Sequence, residues 1–154
     1  VLLPKGFNQS LNDDEYEIMK QHTVLGALLF QNPTSAFEEA AREVALNHHE
    51  RFDGTGYPGH VNPLTGEPDP EKTLSNGAPI PKKGGEIPLF GRIVALADVY
   101  DALSSNRSYK EAWDEERVLS VIHEESGRHF DPEIVDVFFS CLPNLRAIST
   151  RYSE

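Results

Sequence analysis

The stretch from Ala36 to Gly59, AFEEAAREVALNHHERFDGTGYPG, decides how this chain is read. In its first half Phe37, Ala40, Ala41, Val44 and Ala45 recur at helical spacing, so a helix is predicted from about Ala36 to His49. Its second half, Asp53-Gly54-Thr55-Gly56-Tyr57-Pro58-Gly59, is too rich in glycine to stay helical and must turn. Between the two stands His48-His49-Glu50. Neighbours on a helix point ~100° apart, so two adjacent histidines cannot chelate one ion from a single helical face. They can reach two parts of a cavity, or each bind one ion of a multinuclear site. A histidine pair at a helix end also has a plainer role as partner of the helix dipole.

Working outward, Asn12-Asp13-Asp14-Glu15 has the form of a capping box, with Glu at the third helical position. Tyr16, Met19, Val24, Leu25, Leu28 and Leu29 follow at helical spacing, which predicts one helix over 13–30, stopped by Asn32-Pro33. On the other side, residues 60–87 carry prolines at 63, 68, 70, 79 and 81 and glycines at 66, 77, 84 and 85. That density predicts a long loop with a small hairpin around Leu64-Thr65-Gly66-Glu67. A strongly apolar helix is predicted from Ile87 to Ser105, and a fourth from an Asp114 cap through His123. Pro132 opens a fifth through about Cys141, and Pro143 leaves room for a last short one. Nothing alternates as a strand does. The chain reads as all-α, a bundle of about five or six helices.

Composition narrows the function. The 25 acidic residues outnumber 14 basic ones for a net charge of −11, which argues against a DNA duplex as partner. A small phosphate ligand stays compatible where metal ions and a few cations supply local positive charge. No apolar run approaches the ~20 residues of a membrane span. The single cysteine, Cys141, excludes an internal disulfide and fits a reducing, cytoplasmic setting. Flanked by Phe138, Phe139 and Leu142, it is expected to fill the core.

Four further features bear on chemistry. His22 lies on the first helix, with Gly26 one turn on, where a missing side chain allows close helix packing. Asp98 interrupts the apolar run Leu96-Ala97-Asp98-Val99-Tyr100-Asp101-Ala102-Leu103, and a carboxylate there must find a partner or face water. Asp98 and Asp101 share a helix face, suited to one metal ligand and one supporting acceptor, or to a simple polar stripe. Arg107 and Lys110 then place a guanidinium and an ammonium together, a pairing that suits phosphate oxygens or an exposed helix end. Tyr57 can pack structurally, stack on a guanine, or face a protein partner through the Gly56-Tyr57-Pro58 turn.

Taken in order, His22, the run His48-His49-Glu50-Arg51-Phe52-Asp53-Gly54-Thr55-Gly56-Tyr57-Pro58, Asp98-Val99-Tyr100-Asp101-Ala102-Leu103 and Arg107-Ser108-Tyr109-Lys110 resemble the HD-GYP family. Ser126-Gly127-Arg128-His129-Phe130-Asp131-Pro132 resembles its closing motif, and the likeness runs from about Leu3 to Phe138. The family consists of all-helical bacterial signalling hydrolases that cleave cyclic di-GMP. The resemblance implies an HD-domain-like bundle in which His22, His48, His49 and Asp98 ligate two or three divalent metal ions, iron or manganese. Asp101 and Tyr57 would support them, and Arg107 and Lys110 would hold phosphates of a cyclic dinucleotide substrate. It implies metal-assisted hydrolysis to the linear dinucleotide or GMP, governed by an upstream regulatory or receiver domain. His60, His123 and His129 match no ligand position.

Two departures stand against the family pattern. No His-Asp dipeptide occurs, so the chain is expected to be an N-terminally truncated HD-GYP domain over 1–154. The missing bridging Asp and a missing Lys would lie upstream of Val1, and the fragment alone is expected to be inactive. Residues 60–86 form an inserted loop, and the stretch His60 to Lys83 is what the family pattern lacks. The alternatives are a degenerate module that senses nucleotides or docks a protein, and a phosphohydrolase acting on another nucleotide.

Overall fold

A computed structural model describes residues 12–105 and 113–152. Helix α1 spans Asp13–Leu28, α2 Ala36–Asn47, α3 Leu89–Ser104, α4 Glu115–Glu124 and α5 Pro132–Tyr152. Two single turns of 3-10 helix, Pro70–Lys72 and Gly84–Glu86, punctuate the long connection between α2 and α3. Among the described residues there is no strand, only isolated bridges, so the all-α reading holds.

The caps explain where the helices start. The Asn12 side chain accepts from the Glu15 N–H at 2.9 Å and the Glu15 carboxylate accepts from the Asn12 N–H at 2.8 Å, closing the capping box. Ser35 accepts from the Glu38 N–H, Asp114 from the Arg117 N–H, and Asp131 from the Glu133 N–H beside Pro132 at the first position of α5. Helix ends agree less well with expectation: α2 stops at Asn47, not His49. The predicted fifth and sixth helices are one, because α5 runs 21 residues straight through Pro143. Val135, Phe138 and Leu142 keep their core-facing register up to that proline, and Leu145 packs beyond it. The apolar face thus carries the helix across one missing backbone hydrogen bond.

The main core lies among α3, α4 and α5: Leu96, Val99 and Leu103 meet Val118, Ile122, Phe130, Val135, Phe138 and Leu142. The other half is a layer in which α1 packs on α2 and α2 on α3. There small residues set the closest approach. A side chain at Gly26 would stand 3.3 Å from the Ala45 Cβ, and Thr23 and Ala27 are fully buried. Leu29 and Phe37, expected on the inward faces, are 82 % and 81 % exposed, and Leu25 also faces out. Helical spacing identified these helices correctly, but close approach along a small-residue stripe leaves Leu25, Leu29 and Phe37 outside the contact, while Tyr16, Met19, Val24, Leu28 and Ala45 stay half-buried. Cys141 is likewise exposed rather than core-filling, since Phe138 and Leu142 take the inward positions around it.

The connection over 60–86 is a folded excursion. The expected hairpin closes through a Val61–Pro68 bridge and an Asn62 N–H to Glu67 carbonyl bond of 2.8 Å. Further backbone bonds, His60 to Ile80, Asp69 to His60 and Ile80 to Lys72, tie its flanks together. Prolines forbid an α-helix here, yet turn-by-turn hydrogen bonding gives the segment a definite path.

Candidate metal centre

The ending of α2 at Asn47 decides the geometry that follows. His48 is the C-cap residue and His49 already belongs to a turn, which the Glu50 N–H closes on the Asn47 carbonyl at 3.0 Å. Once the backbone leaves the helix, the ~100° divergence of helical neighbours no longer applies. The two imidazoles lie with ring centres 4.1 Å apart, and His22 reaches over from α1 to meet both. Ligand atoms of His22, His48 and His49 all lie within 4.8 Å of one another.

The protons on these rings are fixed by what their other nitrogens touch. His22 Nδ1 stands 2.6 Å from the Met19 carbonyl, and His48 Nδ1 stands 3.0 Å from the carbonyls of Val44 and Ala45. A carbonyl only accepts, so both Nδ1 atoms carry hydrogen and both neutral rings present a lone pair at Nε2. Those two Nε2 atoms face each other at 3.3 Å. Two lone pairs at that distance repel unless a cation stands between them. Burial holds His48 below the ordinary histidine range, with the His22 charge adding to this. Burial, followed by the neighbouring imidazoles, pulls His49 down to about 2. A proton is therefore a poor occupant. A metal ion fits: two imidazole nitrogens each ~2.0–2.1 Å from one tetrahedral ion stand roughly 3.3 Å apart.

Tyr57 closes one side of the triad. Its peptide bond to Pro58 is cis, and the ring, 9 % exposed, stacks on His49 at 4.9 Å and meets His22 edge-on at 6.5 Å. The hydroxyl points to Met19 Sδ at 3.8 Å, and burial raises its pKa above the ordinary tyrosine value. The ring is thus packed against the histidine group. A side chain at Gly56 would stand 2.3 Å from the Arg51 nitrogen, which is why the turn needs glycine there.

Asp98, half-buried on α3, lies outside the three-histidine group but near enough that its negative charge acts on His48 and Tyr57. Asp101 is exposed and accepts the Ser105 hydroxyl at 2.9 Å. Arg107 and Lys110 lie outside the described residues. The closing motif serves as a brace: the Arg128 and His129 carbonyls accept from the N–H groups of Asp53 and Phe52, and Arg51 pairs with Glu125 at 2.8 Å. His129 stacks on Phe130 with ring centres 4.4 Å apart, and burial lowers its pKa to about 3. A cavity of about 450 Å³ opens on that bracing side, between Arg51, Thr55 and Arg128. The histidine triad is not part of its described lining.

Sequence reading gave no role to Lys82 or Asn47, and placed Glu50 only as the end of the histidine run. All three are tied to the histidine turn by bonds described below, and two of those ties span more than 30 residues. Nothing in the local sequence marks Lys82 or Asn47.

Residues 70–134 match the family model described as an HD domain, a span that includes Asp98 but begins beyond the three histidines. A cyclic di-GMP phosphodiesterase of Vibrio cholerae is 38 % identical over 100 % of this chain and 27 % of its own length. The cyclic di-GMP phosphodiesterase response regulator RpfG of Xanthomonas campestris is 38 % identical over 99 % of this chain and 34 % of its own length. A 3'3'-cGAMP-specific phosphodiesterase of Vibrio cholerae is 33 % identical over 82 % of this chain. The chain thus spans about a third or less of the curated relatives it matches. A crystal structure of a cyclic GMP-AMP phosphodiesterase from V. cholerae shares the fold, with a TM-score of 0.56 over 90 % of this chain and 27 % of its own at 24 % identity. Family match, helical architecture and near-full-length similarity make this chain a member of the HD domain family, of the HD-GYP type.

Proposed function

We propose that this chain carries the metal-binding part of a phosphodiesterase that hydrolyses cyclic di-GMP to the linear dinucleotide or GMP, in cytoplasmic bacterial signalling. The observation that carries the reading is the pair of Nε2 lone pairs of His22 and His48 facing each other at 3.3 Å, with His49 beside them. The names of the relatives, cyclic di-GMP phosphodiesterases among them, support the substrate class.

On this reading His22, His48 and His49, with Asp98 as the carboxylate, hold two or three divalent ions, and iron or manganese suits such a mixed nitrogen and oxygen set. When bound, these ions supply an activated water and neutralise phosphate charge. The chain's own residues prepare the place. The Met19, Val44 and Ala45 carbonyls keep the Nδ1 protons of His22 and His48 in place, so their Nε2 atoms stay free to ligate. Tyr57 covers one side of His49 and keeps water from it. Arg107 and Lys110 would grip the phosphates, and Asp101 would support the α3 face. An upstream regulatory or receiver domain would govern access, in keeping with the response-regulator name of the Xanthomonas relative.

The test uses the longer protein that carries this chain, loaded with iron or manganese, and follows cyclic di-GMP by chromatography. Conversion to the linear dinucleotide or GMP is expected, and His48→Ala should abolish it. Cyclic di-GMP left intact while 3'3'-cGAMP is cleaved would make the substrate assignment wrong. Cleavage of neither would remove the hydrolase reading.

A further inference from the structure

Asn47 and Glu50 flank the histidine pair, and one residue from the far end of the excursion binds both. The Glu50 carboxylate, 1 % exposed, accepts the Gly59 N–H at 2.6 Å on one oxygen and the Lys82 N–H at 3.2 Å on the other. The Lys82 ammonium reaches on to the Asn47 side-chain oxygen at 2.6 Å. Asn47, 2 % exposed, is itself held. Its amide donates to the Glu43 carbonyl at 2.7 Å, and the bare Gly91 of α3 lets its Cβ come close, so that an added side chain there would stand 2.8 Å from it. Gly59 and Lys82 bracket residues 60–81, so the excursion leaves from and returns to a single carboxylate.

We infer that Glu50 and Lys82 are positioning residues: a clamp, closed by the excursion, that fixes the turn of His48 and His49 so that both imidazoles converge with His22. The inference rests on the reading of the three histidines as metal ligands. Its physical basis is that a side chain leaving a turn is only as well aimed as the turn's backbone. Asn47 and Glu50 are the residues on either side of the pair, and Lys82 bonds to one through its main chain and to the other through its side chain. The excursion is thereby part of the centre's support. Bonds that orient ligands in this way are worth about 10–100-fold in metal affinity.

The test is cobalt(II) titration of the purified protein, following both affinity and the visible absorption that reports ligand geometry. Lys82→Met removes the ammonium and leaves the main-chain bond to Glu50; Asn47→Ala removes its acceptor. Each is expected to weaken cobalt binding by about 10–100-fold and to shift the absorption bands. Lys82→Arg, which keeps a donor of similar reach, should restore most of the affinity. Val118→Ala, in the distant α3–α4–α5 core, serves as the stability control. It should lower the melting temperature yet leave affinity and spectrum as in the wild type. Should Lys82→Met not fold, Asn47→Ala alone decides. Wild-type affinity and spectrum in these two variants would overturn the clamp. Wild-type binding in His48→Ala would overturn the metal reading, and the clamp with it.

Discussion

At the scale of single residues, the proposed centre rests on constraints on protons as much as on side-chain types. His22 and His48 are committed at Nδ1 by backbone carbonyls, which turns two ordinary imidazoles into opposed lone pairs. Their identity was legible in the sequence, through His22 and the His48-His49-Glu50 run. Their tautomers were not, because the carbonyls involved come from whichever turn the folded helix happens to place there. Glu50 shows the same limit. It reads only as the end of the histidine run, yet burial pushes its carboxyl up to about 7, while bonds from Gly59 and the charge of Lys82 pull the other way. Burial in turn draws the Lys82 ammonium down, against the pull of Glu50.

His129 supplies a pH test at this scale. Burial holds its folded pKa at about 3, below the ordinary 6.5, so unfolding lets the ring take up a proton between those values. Its contribution to stability is therefore complete above pH 6.5 and falls as pH drops toward 3. His49 acts in the same direction, and Glu50, whose pKa is raised, in the opposite one: its contribution is full below 4.5 and lost as pH rises through about 7. Thermal melts of His129→Gln from pH 7 to 4 should show a shallower acid-side loss than the wild type. Parallel curves would mean that His129 does not drive that slope.

At the scale of elements, caps were the most legible feature, because a cap is local: Asn12, Asp114 and Pro132 each sit within three residues of what they bind or begin. What failed was whatever depends on a distant neighbour. The inward face of α1 follows from the bare approach of Gly26 to Ala45, a residue on another helix. The path of the excursion follows from Glu50, 32 residues before Lys82. The unbroken α5 follows from its grip on the core, continued past Pro143 by Leu145 and by the Arg146–Glu115 ion pair at 2.8 Å. That continuity has a consequence. An exposed proline inside a helix costs up to ~3 kcal/mol relative to alanine, so Pro143→Ala should stabilise the chain by roughly 1–3 kcal/mol in urea unfolding. A loss of stability would mean that α5 is broken at that point.

At the scale of the whole molecule, α3 joins two unlike halves. One is a core of large side chains among α3, α4 and α5; the other is the α1–α2 layer, packed through small residues, at whose edge the three histidines meet. The turn carrying His48 and His49 lies between them. It is braced to the first half by Arg51–Glu125 and the Phe52 and Asp53 backbone bonds, and clamped at its base by Glu50 and Lys82. This division explains why the fold class and most ligand candidates could be read directly, while the support of the site could not. The proposed ligands are rare residue types in a recognisable order, whereas their support consists of common residues brought together only by folding.

A metal centre here requires that the histidines share an ion. The direct measurement is calorimetric titration of manganese(II) into the wild type, His22→Ala and His48→Ala at neutral pH. Saturable binding is expected in the wild type, with each alanine weakening it at least about tenfold while the helical circular dichroism signal is retained. Binding unchanged in either variant, or no binding in the wild type, would contradict the assignment of the facing nitrogens as a metal centre.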